Sequence, residues 1–156
     1  MQNEFDFDAY LTASAAKLTH YCAAIVGAAD AEDVAQETFL RFWQNQHRIP
    51  NEAAAGVFLY RTAYRLSVDV IRERKRKQPW GHEMEAPQSQ TLSEPMERAL
   101  MTLSPVDRAV LFSRVVDECG YDEIAARFRK NEAWARKRYS LARKKLEQIL
   151  GKEKME

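Results

Sequence analysis

The sequence predicts an all-α protein made of two small helical domains joined by a flexible linker. Glycine and proline are scarce, and Ala, Leu, Glu, Lys, Arg and Gln fill the periodic segments, as helix propensity favours. Apolar residues recur at helical spacing over long stretches on both sides of residues 78–93. Those residues, QPWGHEMEAPQSQTLS, combine two prolines, a glycine and aperiodic polar residues, the signature of a linker. A chain of 156 residues has room for one ordinary domain or two small ones.

The first helix is expected over about residues 5–26, with Gly27 at its C-terminal end. Asp30 is placed to cap a second helix, and Asp33 to favour its positive end. Val34, Ala35, Thr38, Phe39, Phe42 and Trp43 make its buried face, and Asp33, Gln36, Glu37 and Arg41 lie opposite. Pro50 interrupts the pattern, and a third helix runs from 52 to 77 with Leu59, Ala63, Leu66 and Val70 as its apolar stripe. Trp80, in the linker, is expected to shield a small surface patch. Beyond the linker, Pro95 suits a first helical position, and Ser104 caps a helix with Pro105 and Asp107 in its first turn, running toward Gly120. YDEIAARF (121–128) is a short helix and RKN a tight turn with Asn131 as a cap. The last helix, 132–150, has Ala135, Tyr139, Ala142, Leu146 and Ile149 at core spacing. A short helix, a turn of about three residues and a longer basic helix outline a helix-turn-helix.

Composition excludes several function classes. His20, His47 and His82 are scattered, and the sequence has no HExxH, no CxxC and no glycine-rich phosphate loop, so no enzyme, metal or cofactor is expected. Cys22 and Cys119 are far apart and read as buried thiols in a reduced compartment. The acidic N-terminus lacks the pattern of a signal peptide, and no apolar run approaches a membrane span; a soluble, cytoplasmic protein is expected.

The formal net charge is only +1, but it is polarised. Residues 1–60 carry eight acids and three bases; residues 61–77 carry seven bases and two acids; residues 129–145 carry eight bases and one acid. Two cationic helices in an otherwise acidic chain suggest nucleic acid. On the last helix, Arg136, Lys137 and Ser140 lie away from the core stripe and can enter a major groove, with Arg129, Lys130, Arg138, Arg143, Lys144 and Lys145 holding phosphates on either side. On the third helix, Arg61 and Arg65 alternate with Phe58, Tyr60 and Tyr64, a pattern suited to single strands whose bases stack on rings.

Three segments carry a family resemblance. DAEDVAQETFLRFWQN (30–45) closely resembles the core-polymerase-binding segment of bacterial sigma factors. FLYRTAYRLSVDVIRERKRK (58–77) resembles the promoter-melting segment that follows it, and LSPVDRAVLFSRVVDECGYDEIAARF with ARKRYSLARKKLEQIL looks like sigma region 4. Their order and spacing resemble the compact extracytoplasmic-function group. The resemblance implies a region 2-like domain (1–77), the linker (78–93), a region 4-like domain (94–150) and a tail (151–156). It implies that Asp33, Gln36, Glu37 and Arg41 bind the β′ clamp helices of RNA polymerase, and that region 4 meets the β flap. Asn51 and Glu52 in the 46–56 loop, with Phe58, Arg61, Arg65 and Arg72, would take the melted minus-ten element. Asn131, Trp134, Arg136, Lys137, Ser140, Arg143 and Lys144 would meet the minus-thirty-five element. The implied partners are core polymerase, promoter DNA and an anti-sigma factor, without membrane insertion.

The sequence departs from the family pattern in two places. Arg65 stands where Asn is common, and the turn reads FRKNEAWA, with Trp134 in place of a small Thr and Ala135 in place of Val. Two other classes fit the outline: a decoy that only titrates an anti-sigma factor, and a free-standing helix-turn-helix regulator. The acidic patch at 33–37 and the two cationic helices argue against the decoy, which needs neither, and polymerase pull-down separates the regulator.

Overall fold

A computed structural model describes residues 5–77 and 94–155, all of whose regular structure is helical. The helices are α1 (Phe7–Val26), α2 (Ala28–Gln44), α3 (Glu52–Lys77), α4 (Glu94–Met101), α5 (Pro105–Val115), α6 (Tyr121–Phe128) and α7 (Glu132–Met155), with a 3-10 turn at Gln46–Arg48. The linker, with Trp80, lies outside the described residues.

Local chemistry sets the helix ends. The Asp6 carboxylate accepts from the Ala9 N–H at 3.0 Å and starts α1. Gly27, at φ +94°, is the single residue between α1 and α2; no neighbouring atom crowds it, so the backbone angle alone calls for glycine. Asp30, expected to cap α2, instead sits inside its first turn and pairs with the Arg74 guanidinium from the far end of α3. Asn51 starts α3 by accepting from the Ala54 N–H at 2.9 Å, a cap worth about 1 kcal/mol. Ser104 Oγ accepts from the Asp107 N–H, as expected. Helix α5 stops at Val115, short of Gly120, while α7 runs on to Met155 through most of the expected tail.

Helices α1, α2 and α3 pack mutually, and the second half of α1 is the centre of the molecule: Tyr21 through Val26 are all buried. Phe42 lies between Phe7 (ring centroids 4.5 Å apart), Tyr10 and Phe58. Each such buried ring contributes about 2–3 kcal/mol of apolar burial. Small residues at Ala55, Ala63 and Ser67 bring α3 close to its neighbours. Trp43, expected in this core, is 56% exposed; the α2 stripe that enters the core is Val34, Ala35, Thr38 and Phe42, with Phe39 at its edge. Helices α5, α6 and α7 form the second unit, with Val110, Ile124, Ala125 and Ala135 packed together.

The two units share one core. Leu100, Leu103, Leu111, Phe112 and Ala142 join the cluster of Leu18, Tyr21 and Ile25, and the Tyr21 ring meets Tyr60 and Phe112 edge-on. The C-terminal end of α1 has no basic residue of its own in its last turn. Two arginines from elsewhere satisfy it: Arg74 donates to the Val26 carbonyl at 2.6 Å, and Arg108 donates to that of Ile25. Arg108 also donates to Leu103 and Met101 at 2.9 Å, so one buried guanidinium closes the carbonyl ends of both α1 and α4.

Candidate nucleic-acid interface

On α2, Asp33 and Gln36 are exposed, and Glu37 is half-exposed and pairs with Arg41 at 3.3 Å. Leu40 (49% exposed) and Trp43 lie at helical spacing from them, on the same outward face. The α2 face thus groups acids around an exposed leucine and tryptophan, side chains of the kind that anchor protein interfaces. Periodicity does not reveal this exposure, because Trp43 lies beside the apolar stripe and Leu40 between its members.

The α3 residues divide. Asn51 spends its carboxamide on the helix cap, with Glu52 exposed in the first turn. The Phe58 ring centroid lies 6.0 Å from that of Phe42, and the partly buried side chain packs against the core. Arg65 and Arg72 are exposed. Arg61 is half-buried, and its Nε and one terminal nitrogen donate to the Ala126 carbonyl at 3.1 and 2.5 Å. Between α3 and the end of α6 lies an open cleft of about 330 Å3, lined by Arg61, Tyr64, Arg65, Val68, Asp69, Arg72, Arg127, Phe128 and Arg129.

On α7, Asn131 accepts from the Trp134 N–H at 2.8 Å and caps the helix, as the sequence predicts. The turn before it closes with Arg129 at φ +56°, as the Lys130 N–H donates to the Ala125 carbonyl at 2.9 Å. Trp134 is half-buried, its ring 5.4 Å from Phe128. Arg136, Lys137, Ser140, Arg143 and Lys144 are exposed along the outer face, and Ala135 and Ala142 are fully buried beneath. The Arg136 guanidinium lies 4.9 Å from the Tyr121 ring, and Arg143 pairs with Glu147 at 2.9 Å. Arg138 and Lys145, expected at phosphates, instead face Asp107, which is 1% exposed. Arg138 Nε lies 2.8 Å from Asp107 Oδ1 in a charge contact without hydrogen-bond alignment, and Lys145 Nζ donates to Oδ2 at 3.4 Å.

This geometry has counterparts among known proteins. Residues 11–77 match the profile of Sigma-70 region 2, and residues 93–146 that of Sigma-70, region 4. The chain belongs to the sigma-70 family. As a sigma factor with these two regions, it directs RNA polymerase to promoters. The family consists of non-enzymatic initiation factors. No curated protein matches its sequence. In fold, this sigma factor is similar to the sigma factor RpoE from Bartonella quintana, solved in complex with the anti-sigma factor NepR: the TM-score is 0.77 at 20% identity, over 94% of this chain and 97% of the other. Among the described residues, no helix of this sigma factor is long and apolar enough to cross a membrane.

Its thiols are poor nucleophiles. Burial pushes Cys22 up from an ordinary 9.0 to about 12 and raises Cys119 as well. Below pH 9 the Cys22 thiol is neutral in both folded and unfolded chains and has no effect on the pH dependence of stability. Between 9 and about 12 the unfolded thiol ionises while the folded one stays protonated, so stability falls by about 1.4 kcal/mol per pH unit. Tyr21 and Tyr60, also raised chiefly by burial, add to the loss above 10. Urea denaturation at about pH 8 and about pH 10.5 checks this; equal midpoints would contradict it.

Proposed function

We propose that this sigma factor works in the cytoplasm by dividing three tasks among three helix faces. Asp33, Gln36, Glu37 and Arg41, with Leu40 and Trp43, dock on the clamp helices of β′. Arg61, Arg65 and Arg72 follow the melted minus-ten strand, with Asn51 and Glu52 at the loop that receives a base. Helix α7 reads the duplex minus-thirty-five element, with Arg136, Lys137 and Ser140 at base edges, Arg143 and Lys144 nearer phosphates, and Asn131 and Trp134 setting its N-terminal end; the same unit meets the β flap. The observation that carries this reading is one chain holding an acidic, tryptophan-bearing face on α2 beside two cationic faces on α3 and α7. A decoy for an anti-sigma factor would need neither cationic face. An anti-sigma factor is a further partner on this reading, by likeness to the complex of RpoE with NepR. Run-off transcription with purified core polymerase on the upstream region of the chain's own gene tests the whole: a specific transcript is expected, and none with intact core binding would defeat it.

Two residue-level results follow. Arg136→Ala and Lys137→Ala each relax base preference at one promoter position, by about 1–3 kcal/mol of discrimination. Arg143→Ala and Lys144→Ala weaken all sequences alike and lower the salt slope by about one unit. Transcription over a library randomised in the upstream element separates the two behaviours; uniform loss from Arg136→Ala and Lys137→Ala would show that α7 is wrongly oriented. In the minus-ten region, Arg65→Ala leaves core binding intact and reduces permanganate reactivity of the opened strand. Wild-type reactivity would leave Arg65 as a merely solvated cation.

A further inference from the structure

We propose that Tyr121, the first residue of α6, is a positioning residue for promoter reading: its ring cradles the Arg136 guanidinium and aims it at a base edge of the minus-thirty-five element. This rests on the reading that Arg136 meets a base. Arg136 is exposed in the first turns of α7, and its guanidinium carbon lies 4.9 Å from the Tyr121 ring centroid. A cation that close is held by the negative face of the ring. The contact leaves its hydrogen-bonding capacity unspent: among the described residues, Arg136 has no hydrogen-bond or ion-pair partner. The other arginines of α7 are engaged, Arg138 facing Asp107 and Arg143 pairing with Glu147. Arg136 is thus the arginine of this helix whose N–H fork stays open for the bidentate pairing that distinguishes bases.

The ring itself is fixed in place. The Gly120 N–H donates to Glu123 Oε1 at 3.2 Å and closes the first turn of α6. Tyr121 packs against the cluster of Val110, Ile124 and Ala135, and its ring centroid is 6.1 Å from that of Tyr139 on α7. Arg114, from α5, lies 4.1 Å from the same centroid and donates to the Cys119 carbonyl at 2.9 Å. One ring therefore collects two guanidiniums, and Arg114 alone is tethered. Repulsion between the two cations favours release of the untethered one, so Arg136 is restrained without being trapped. A wholly free arginine loses its rotamer freedom on reaching a base. The cradle imposes part of that loss beforehand.

The test is transcription by holoenzyme over a library randomised in the upstream element, with all promoters competing in one reaction. Preference is then a ratio, and a smaller folded fraction lowers every promoter alike. Tyr121→Leu is expected to weaken base preference by about three- to fivefold at the position that Arg136→Ala relaxes, and at no other. Tyr121→Phe keeps the ring and is expected to retain the preference. A pentafluorinated phenylalanine in place of Tyr121 keeps the ring shape but reverses the charge of its face, and is expected to behave as Tyr121→Leu does. Combining Tyr121→Leu with Arg136→Ala is expected to relax that position no further than Arg136→Ala alone. Wild-type preference in Tyr121→Leu, whatever its total output, would overturn the role. So would wild-type preference with the fluorinated ring, or loss of preference in Tyr121→Phe, which would point to the hydroxyl. The underlying reading is scored by Arg136→Ala: if that variant relaxes no position, the base contact fails and the role of Tyr121 with it. If it relaxes one and Tyr121→Leu does not, only the role of Tyr121 falls.

Discussion

Replacing Asp33 and Glu37 with lysine is expected to leave the chain folded and to weaken core polymerase binding by two orders of magnitude or more. Asp33 is exposed and Glu37 half-exposed, and neither supports the core. Exposed substitutions usually change stability by less than about 0.5 kcal/mol. The Glu37–Arg41 pair is a surface contact and contributes at most about 1 kcal/mol. Binding is a different matter. The double reversal removes two attractions and installs two repulsions, and like charges juxtaposed across an interface cost several kcal/mol, where each 1.4 kcal/mol is about tenfold. Trp43→Ala is a companion with a different cause. Its indole is 56% exposed, so truncation removes little from the folded chain but deletes the proposed anchor of the α2 face, with an expected loss of about 2 kcal/mol or more in binding. Circular dichroism and titration of labelled protein with core polymerase separate fold from binding. Wild-type affinity in a folded double variant would remove the α2 face from the interface.

Arg138→Met is expected to cost about 3 kcal/mol of stability, although Arg138 is on the helix proposed to read DNA. Its partner decides this. Asp107 is buried at the α5–α7 junction, and its charge is compensated by Arg138 and, at longer range, by Lys145. Removing Arg138 leaves a buried carboxylate with one distant, half-exposed ammonium, and an orphaned buried charge costs about 3–5 kcal/mol. Removing both charges together is milder, because no charge is left stranded. Arg138→Met with Asp107→Asn is therefore expected to be more stable than Arg138→Met alone. Thermal unfolding reads both: a loss of about 3 kcal/mol lowers Tm by about 10 °C in a chain of this size. If Arg138→Met melts like wild type and only loses DNA affinity, the side chain is a phosphate ligand after all and the junction is held by other contacts.

The sequence by itself determined the elements and their order. Helix α3 runs from Glu52 to Lys77 and α6 from Tyr121 to Phe128, as read, because capping, proline breaks and 3.6-residue periodicity are local signals. The outward placement of Asp33, Gln36, Arg136, Lys137 and Ser140 was legible for the same reason: a residue opposite an apolar stripe faces away from the core. The tertiary structure alone decided which charged side chains are spent inside the molecule. Arg61 reaches a carbonyl 65 residues away, Arg74 one 48 away and Arg108 one 83 away. Arg138 neutralises Asp107 across two helices. It also decided that Trp43 stays outside, because the narrow stripe of α2 was already filled by Val34, Ala35, Thr38 and Phe42. Periodicity reports the face on which a residue lies, through neighbours three and four positions along. It carries nothing about which distant helix covers that face, so a cation on a polar stripe reads the same whether it awaits DNA or closes the end of another helix.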